Sequence, residues 1–152
     1  MEANASSSAT AGAKVVLLRL SAGTNPGVRV AHYVDELSRK PAASPGVVAI
    51  RGLYVYPEGV PDSRPGTRAR WLEFHTHCAN GSFDLVNLIE LDDDARPLGA
   101  AQGSHRLPPV TKGSVGEAVL GIACKTADTT NRPRLTSTKA AIEGAMKRAR
   151  TH

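Results

Sequence analysis

Apolar residues in this chain cluster in short runs separated by turn-rich segments, and the period within each run predicts the element. Lys14-Val15-Val16-Leu17-Leu18-Arg19-Leu20 is a short apolar run that ends at Ser21-Ala22-Gly23-Thr24-Asn25-Pro26-Gly27, which predicts a buried strand. In residues 28–40, Val30, Tyr33, Val34 and Leu37 fall at i, i+3, i+4 and i+7, one helix face, while Val28-Arg29-Val30 alternates as a strand would. The helical reading is preferred, with its end before Pro41, where Arg39 and Lys40 would complement the helix dipole. Residues 47–56 form the strongest strand signal, rich in β-branched and aromatic residues and apolar on both faces. Residues 68–78 alternate: Leu72, Phe74 and Cys78 on one face, Trp71, Glu73, His75 and His77 on the other. Asn80-Gly81 reads as a hairpin turn leading into a strand over 83–91. Asp92-Asp93-Asp94, then Arg96-Pro97 and residues 99–109, read as a long polar loop, and 115–126 as a strand weakened by glycines. The chain closes with a predicted helix over 137–150, in which Ile142, Ala145, Met146 and Ala149 share helical spacing. Thr136 or Ser137 can cap it, and Glu143 precedes Lys147 by four residues.

About five strands in consecutive runs with two helices predict an α+β fold: a mostly antiparallel β-sheet or small β-sandwich with a C-terminal basic helix. Doubly wound α/β architecture lacks its helices. Residues 1–13, nearly all Ala, Ser, Thr, Gly and Asn, read as a flexible N-terminal tail; 14–130 form the β-rich domain; and 131–152 form the basic helix or arm. At 152 residues the chain can bury one sizeable core and is too short for a (β/α)8 barrel.

Charge adds an asymmetry to this pattern. The net charge is +5, with 10 basic and 11 acidic residues over 1–100 but 9 basic and 3 acidic over 101–152. Arg132, Arg134, Lys139, Lys147, Arg148 and Arg150 form a basic contact set suited to nucleic acid or an acidic protein partner. Aromatic residues are few, so base stacking is unsupported and any RNA or DNA binding would be electrostatic. The open edges of a small sheet allow self-assembly into a homo-oligomer.

Two cysteines, Cys78 and Cys124, fall at apolar positions of predicted strands and read as buried structural thiols. No secretory leader or membrane-spanning run is evident, so the expectation is a soluble protein of the cytoplasm or nucleus. On that expectation the Asn4-Ala5-Ser6 and Asn80-Gly81-Ser82 patterns carry no weight as glycosylation sites.

Candidate chemistry concentrates at Glu73-Phe74-His75-Thr76-His77. On a strand, positions 73, 75 and 77 project to one side about 6–7 Å apart, so a carboxylate and two imidazoles could converge on Zn or Mn. Asp84, Asp92 or His105 could complete such a site, and an open coordination position would activate water for hydrolysis. Phe74 to Cys78, with Ser82 following, resembles the first metal-binding motif of the polymerase and histidinol phosphatase family. That resemblance implies a metal-dependent phosphoesterase on a larger barrel with several later ligands; here only His105 and His152 are histidines beyond His77. Asp92-Asp93-Asp94 lacks the glycine and closing glutamate of a calcium loop and reads as a solvated turn. No nucleophile elbow or phosphate loop occurs. The residues therefore favour a non-enzymatic binding or assembly module without a cofactor and with no assigned catalytic residue, the metal-dependent hydrolase being the alternative.

Overall fold

The computed structural model describes residues 15–22, 29–59, 63–108, 110–125, 134–135 and 137–150. The predicted N-terminal tail, residues 1–13, lies outside them. Seven strands, β1 (Val15–Ala22), β2 (Arg29–Pro41), β3 (Val47–Val55), β4 (Ala69–His77), β5 (Ser82–Leu91), β6 (Pro97–Arg106) and β7 (Arg134–Leu135), form one sheet in the order β6-β5-β4-β3-β2-β1-β7. Every neighbouring pair is antiparallel. Helix α1 (Val115–Ala123) lies between β6 and β7, and α2 (Thr138–Arg150) follows β7. The α+β expectation stands as a single sheet with two helices.

Side chains alternate across a strand, so the two core clusters identify the two faces of the sheet. Ala31, Tyr33, Leu53, Val55, Ala69, Trp71 and Leu91 pack with Ala141, Ile142 and Ala145 of α2. Val34, Ile50, Leu72, Phe74 and Phe83 pack with Val119, Ile122 and Ala123 of α1. On β3 and β4 the first set is odd-numbered and the second even-numbered, which puts the helices on opposite faces. They also sit toward opposite ends of those strands: α2 lies over Leu53, Val55, Ala69 and Trp71, and α1 over Ile50, Leu72 and Phe74. Among the described residues, each face keeps one half that neither helix covers, and both candidate surfaces lie there.

Three elements differ from expectation. Within the expected helix, residues 29–41 form β2, because both faces of that strand are buried over residues 31–35. Tyr33 enters the α2-side core and Val34 the α1-side core, so adjacent apolar residues imitate helical spacing. Leu37 falls in the irregular stretch between Asp35 and Lys40 and is 64% exposed. Residues 115–123 form α1, whose start is fixed by side-chain caps: the Ser114 hydroxyl accepts the Glu117 N–H at 3.2 Å, and the Glu117 carboxylate accepts the Gly113 N–H at 3.1 Å. Gly116 supports this packing, since a Cβ there would meet Phe83 Cζ at 3.1 Å. Finally, residues 97–106, expected as loop, form the edge strand β6 because β5 offers a free backbone ladder to pair with. At α2 the Ser137 hydroxyl accepts the Ala140 N–H at 3.0 Å, so Ser137 is the cap.

Candidate functional site

Glu73, His75 and His77 do project to one side of β4, on the open half of the α2-covered face. Register sets their neighbours: Glu73 lies opposite Arg51 of β3 and Asn87 of β5, His75 opposite Ala49 and Asp84, and His77 opposite Val47 and Ser82. A register shift on β5 between Asn87 and Leu85 restores the parity that keeps Asp84 on this face with Asn87. The potential ligands associate in twos. His77 Nε2 is 3.1 Å from Asp84 Oδ2, and His75 Nε2 is 3.4 Å from Glu73 Oε2. Each carboxylate has a second partner: Arg106 Nε at 2.8 Å from Asp84 Oδ1, and the Asn87 amide donating to Glu73 Oε1 at 2.9 Å. The Ser82 hydroxyl, opposite His77, donates to Asn80 Oδ1 at 2.7 Å and accepts from Arg106 Nη1 at 2.6 Å.

His105 is opposite Leu85, which packs with the α1-side cluster, so it lies on the other face of the sheet from His75 and His77. Among the described residues, Asp92, Asp93 and Asp94 form the one trio of metal-ligating types whose ligand atoms lie within 4.8 Å of one another. That trio serves the turn itself: Asp92 Oδ1 accepts the backbone N–H of Asp94 and of Arg96, each at 2.9 Å.

The same open half holds a network the sequence reading passed over. Asp35, 1% exposed, pairs with Arg51 at 3.0 Å, and the Arg51 guanidinium lies 4.7 Å from the Trp71 ring centroid. Asp35 Oδ1 also accepts the Leu37 N–H at 3.0 Å. A cavity of about 350 Å³ beside this network is lined by Leu37, Lys40, Ala49, Arg51 and Glu73. The signal in the sequence was Arg51 itself, a lone charge in the middle of the apolar run 47–56.

Of the basic set, Lys139 and Lys147 are exposed on α2. Arg134 is on β7 and Arg148 and Arg150 are on α2, with side chains outside the described residues; Arg132 lies outside them altogether. The apolar stripe of α2 faces the sheet: Ile142 and Ala145 are buried and Met146 packs against them. Glu143 sits 3.9 Å from Lys139, which precedes it, and this is the i,i+4 contact described on the helix.

The uncovered half of the opposite face carries a cross-strand row of Tyr54, Arg70 and Glu90. Burial tends to raise the Glu90 pKa, but hydrogen bonds from the Arg64 backbone and guanidinium and from Thr67 outweigh it and hold the carboxyl below its ordinary value. Burial, with the neighbouring Tyr56 adding to it, raises the Tyr54 phenol. Tyr56 is raised by burial too, against the opposing effect of Arg70.

Cys78 and Cys124 are joined as a disulfide that ties the end of β4 to the end of α1, across 46 positions of sequence. They are neither buried strand thiols nor free: Cys78 is exposed in the turn after β4, and Cys124 is the C-cap of α1. Alongside it, Arg39 Nε donates to the Ala123 carbonyl at 2.5 Å, a cation at the C-terminal end of the helix.

No family model and no curated protein matches the chain. Among solved structures it is similar to crystal form II of Haemophilus influenzae protein E, at 19% identity and a TM-score of 0.49, covering 73% of this chain and 97% of that one. A second structure, of protein E from non-typeable Haemophilus influenzae, is 18% identical with a TM-score of 0.44, covering 91% of this chain and 98% of that one.

The disulfide corrects the expected compartment. Such bonds form and persist where the surroundings are oxidising and are rare in the cytosol and nucleus, so the cytoplasmic or nuclear expectation does not hold. The reading as a cytoplasmic nucleic-acid-binding or RNA-binding protein falls with it.

Proposed function

We propose that the chain is a non-enzymatic binding or assembly module of an oxidising compartment, docking an acidic protein partner through the basic side of α2. The supporting observation is how α2 is seated. Its apolar residues Ala141, Ile142 and Ala145 are consumed by the core, and Lys139 and Lys147 stand in solvent. A helix anchored this way presents its charges on a rigid support, which favours rapid, electrostatically steered encounter with an anionic surface. β6 is the terminal strand of the sheet, with no further strand beside it among the described residues, and that edge keeps self-association within the proposal.

The pairing of His75 with Glu73 and of His77 with Asp84 supports this reading over the metal-dependent hydrolase, because each carboxylate is already shared between two partners. The test is fluorescence anisotropy with a labelled polyglutamate peptide, on the wild-type chain and on a K139E/K147E variant. Binding should weaken as salt rises from about 50 to 300 mM, and by about tenfold in the variant at low salt. Equal affinity in a variant with an unchanged circular dichroism spectrum would rule the helix out as the docking surface.

A further inference from the structure

The α1-side face holds an arginine that has no carboxylate partner among the described residues. Arg70 stands in the middle of the sheet, directly opposite Tyr54 on one side and Glu90 on the other. Glu90 is the carboxylate that register offers it. Glu90 is taken, however: Oε1 accepts from Arg64 Nη1 at 2.6 Å, and Oε2 accepts from the Arg64 N–H at 3.3 Å and the Thr67 hydroxyl at 3.2 Å. The Arg70 side chain donates from Nη2 to the Ser63 hydroxyl at 3.3 Å, a neutral acceptor. Its Nε is buried with no acceptor. The guanidinium lies 5.9 Å from the ring centroid of Tyr56, whose ring is a flat support and whose phenol oxygen is a neutral hydrogen-bond partner that leaves the charge uncompensated.

A guanidinium carries five N–H donors in a planar fork, and leaving them unmet in a half-buried site is costly. Native folds meet such donors with carbonyls, hydroxyls, water, a carboxylate or a ligand, and the charge itself with a carboxylate or a ligand. The surroundings favour a ligand: Arg68, the next residue of the same parity, adds a second cation, its Nη1 held by the Thr67 carbonyl at 3.1 Å. The Ser63 hydroxyl is a neutral group that can donate as well as accept.

We infer that Arg70, supported by Tyr56 and flanked by Ser63 and Arg68, is the recognition point for an oxyanion presented by a ligand, a carboxylate or a sulfate group. The Arg70 fork takes two of the oxyanion's oxygens, the Ser63 hydroxyl donates to it, and Arg68 adds long-range attraction. This surface is on the sheet face opposite α2, so it stands or falls independently of the docking proposed for that helix.

The test is nuclear magnetic resonance on the full chain labelled with nitrogen-15, titrated separately with sodium acetate and sodium sulfate at constant ionic strength. The reporters are the Arg70 Nε–H signal and the backbone amides of Tyr56 and Ser63. The Nε–H signal of Arg96, in the exposed turn before β6, is the control. The expected result is a saturable shift at Arg70 in the millimolar range with at least one anion; saturation by acetate alone marks a carboxylate ligand, and by sulfate alone a sulfate ester. In Arg70→Lys the Tyr56 and Ser63 shifts should lose saturation while the charge is kept. Shifts that grow linearly and match those of Arg96, or Tyr56 and Ser63 shifts unchanged in Arg70→Lys, would overturn the inference. The wild-type titration decides by itself if the variant does not fold.

Discussion

Breaking the Cys78–Cys124 bond removes a constraint that spans 46 positions of sequence, and its effect can be worked out from the loop it closes. Chain-entropy arithmetic for a loop of that size gives a stabilisation of about 4 kcal/mol, arising in the unfolded ensemble. For a chain of this length that corresponds to a fall in Tm of about 8–16 °C. Local geometry adds a second, separable effect. The bond ties α1 to the β4–β5 hairpin, and α1 covers Ile50, Leu72, Phe74 and Phe83 on one face. Trp71 is 2% exposed in the cluster on the opposite face. Guanidinium unfolding of the oxidised chain and of a C78A/C124A variant, followed by Trp71 fluorescence, reads the global loss. Native-state hydrogen exchange reads α1. The variant should unfold at lower denaturant by the stated amount, with unchanged native fluorescence and faster exchange in α1 than in β3 and β4. Coincident unfolding free energies within about 0.5 kcal/mol would show that the bond does not constrain the unfolded chain as argued.

Substitutions should separate core from surface against the helical pattern of residues 28–40. Ile142→Ala should cost about 2–5 kcal/mol in denaturant unfolding, because the residue is fully buried between α2 and the sheet. Leu37→Ala should stay within about 0.5 kcal/mol, although a helix over 28–40 would have made Leu37 a core position. For Glu90, the folded carboxyl titrates below its ordinary value. Its contribution to stability is therefore complete above the unfolded pKa of about 4.3 and is lost as pH falls through the lower folded value. Acid unfolding curves of Glu90→Gln should accordingly be flatter than wild type in that range; a variant as acid-sensitive as wild type would contradict the assignment.

The candidate surfaces were legible only in part. Alternation over 68–78 was enough to put Glu73, His75 and His77 on one side of β4, because side chains of a strand alternate whatever surrounds it. Which groups face them was not legible. Asp84 joins His77 and His105 is sent to the opposite face by register, and register depends on irregularities in β5 and β6 that local composition does not announce. Arg70 likewise stands out only once Glu90 is seen to be committed to Arg64 and Thr67, residues 20 to 30 positions away in sequence.

What the sequence by itself determined is what local physics controls: β3 from a run of β-branched and aromatic residues, and α2 from helical spacing with Ser137 at its start. The antiparallel α+β class followed from strands in succession. Tertiary structure decided the rest. Tyr33 and Val34 are adjacent apolar residues that fit one helix face or two covered sheet faces equally well, and only the presence of a helix over each face selects β2. Residues 97–106 are a strand because β5 has an unpaired edge. Cys78 and Cys124 are a disulfide because α1 brings their Cα atoms to 5.8 Å, and that contact, absent from any local pattern, is what overturns the cytoplasmic or nuclear expectation.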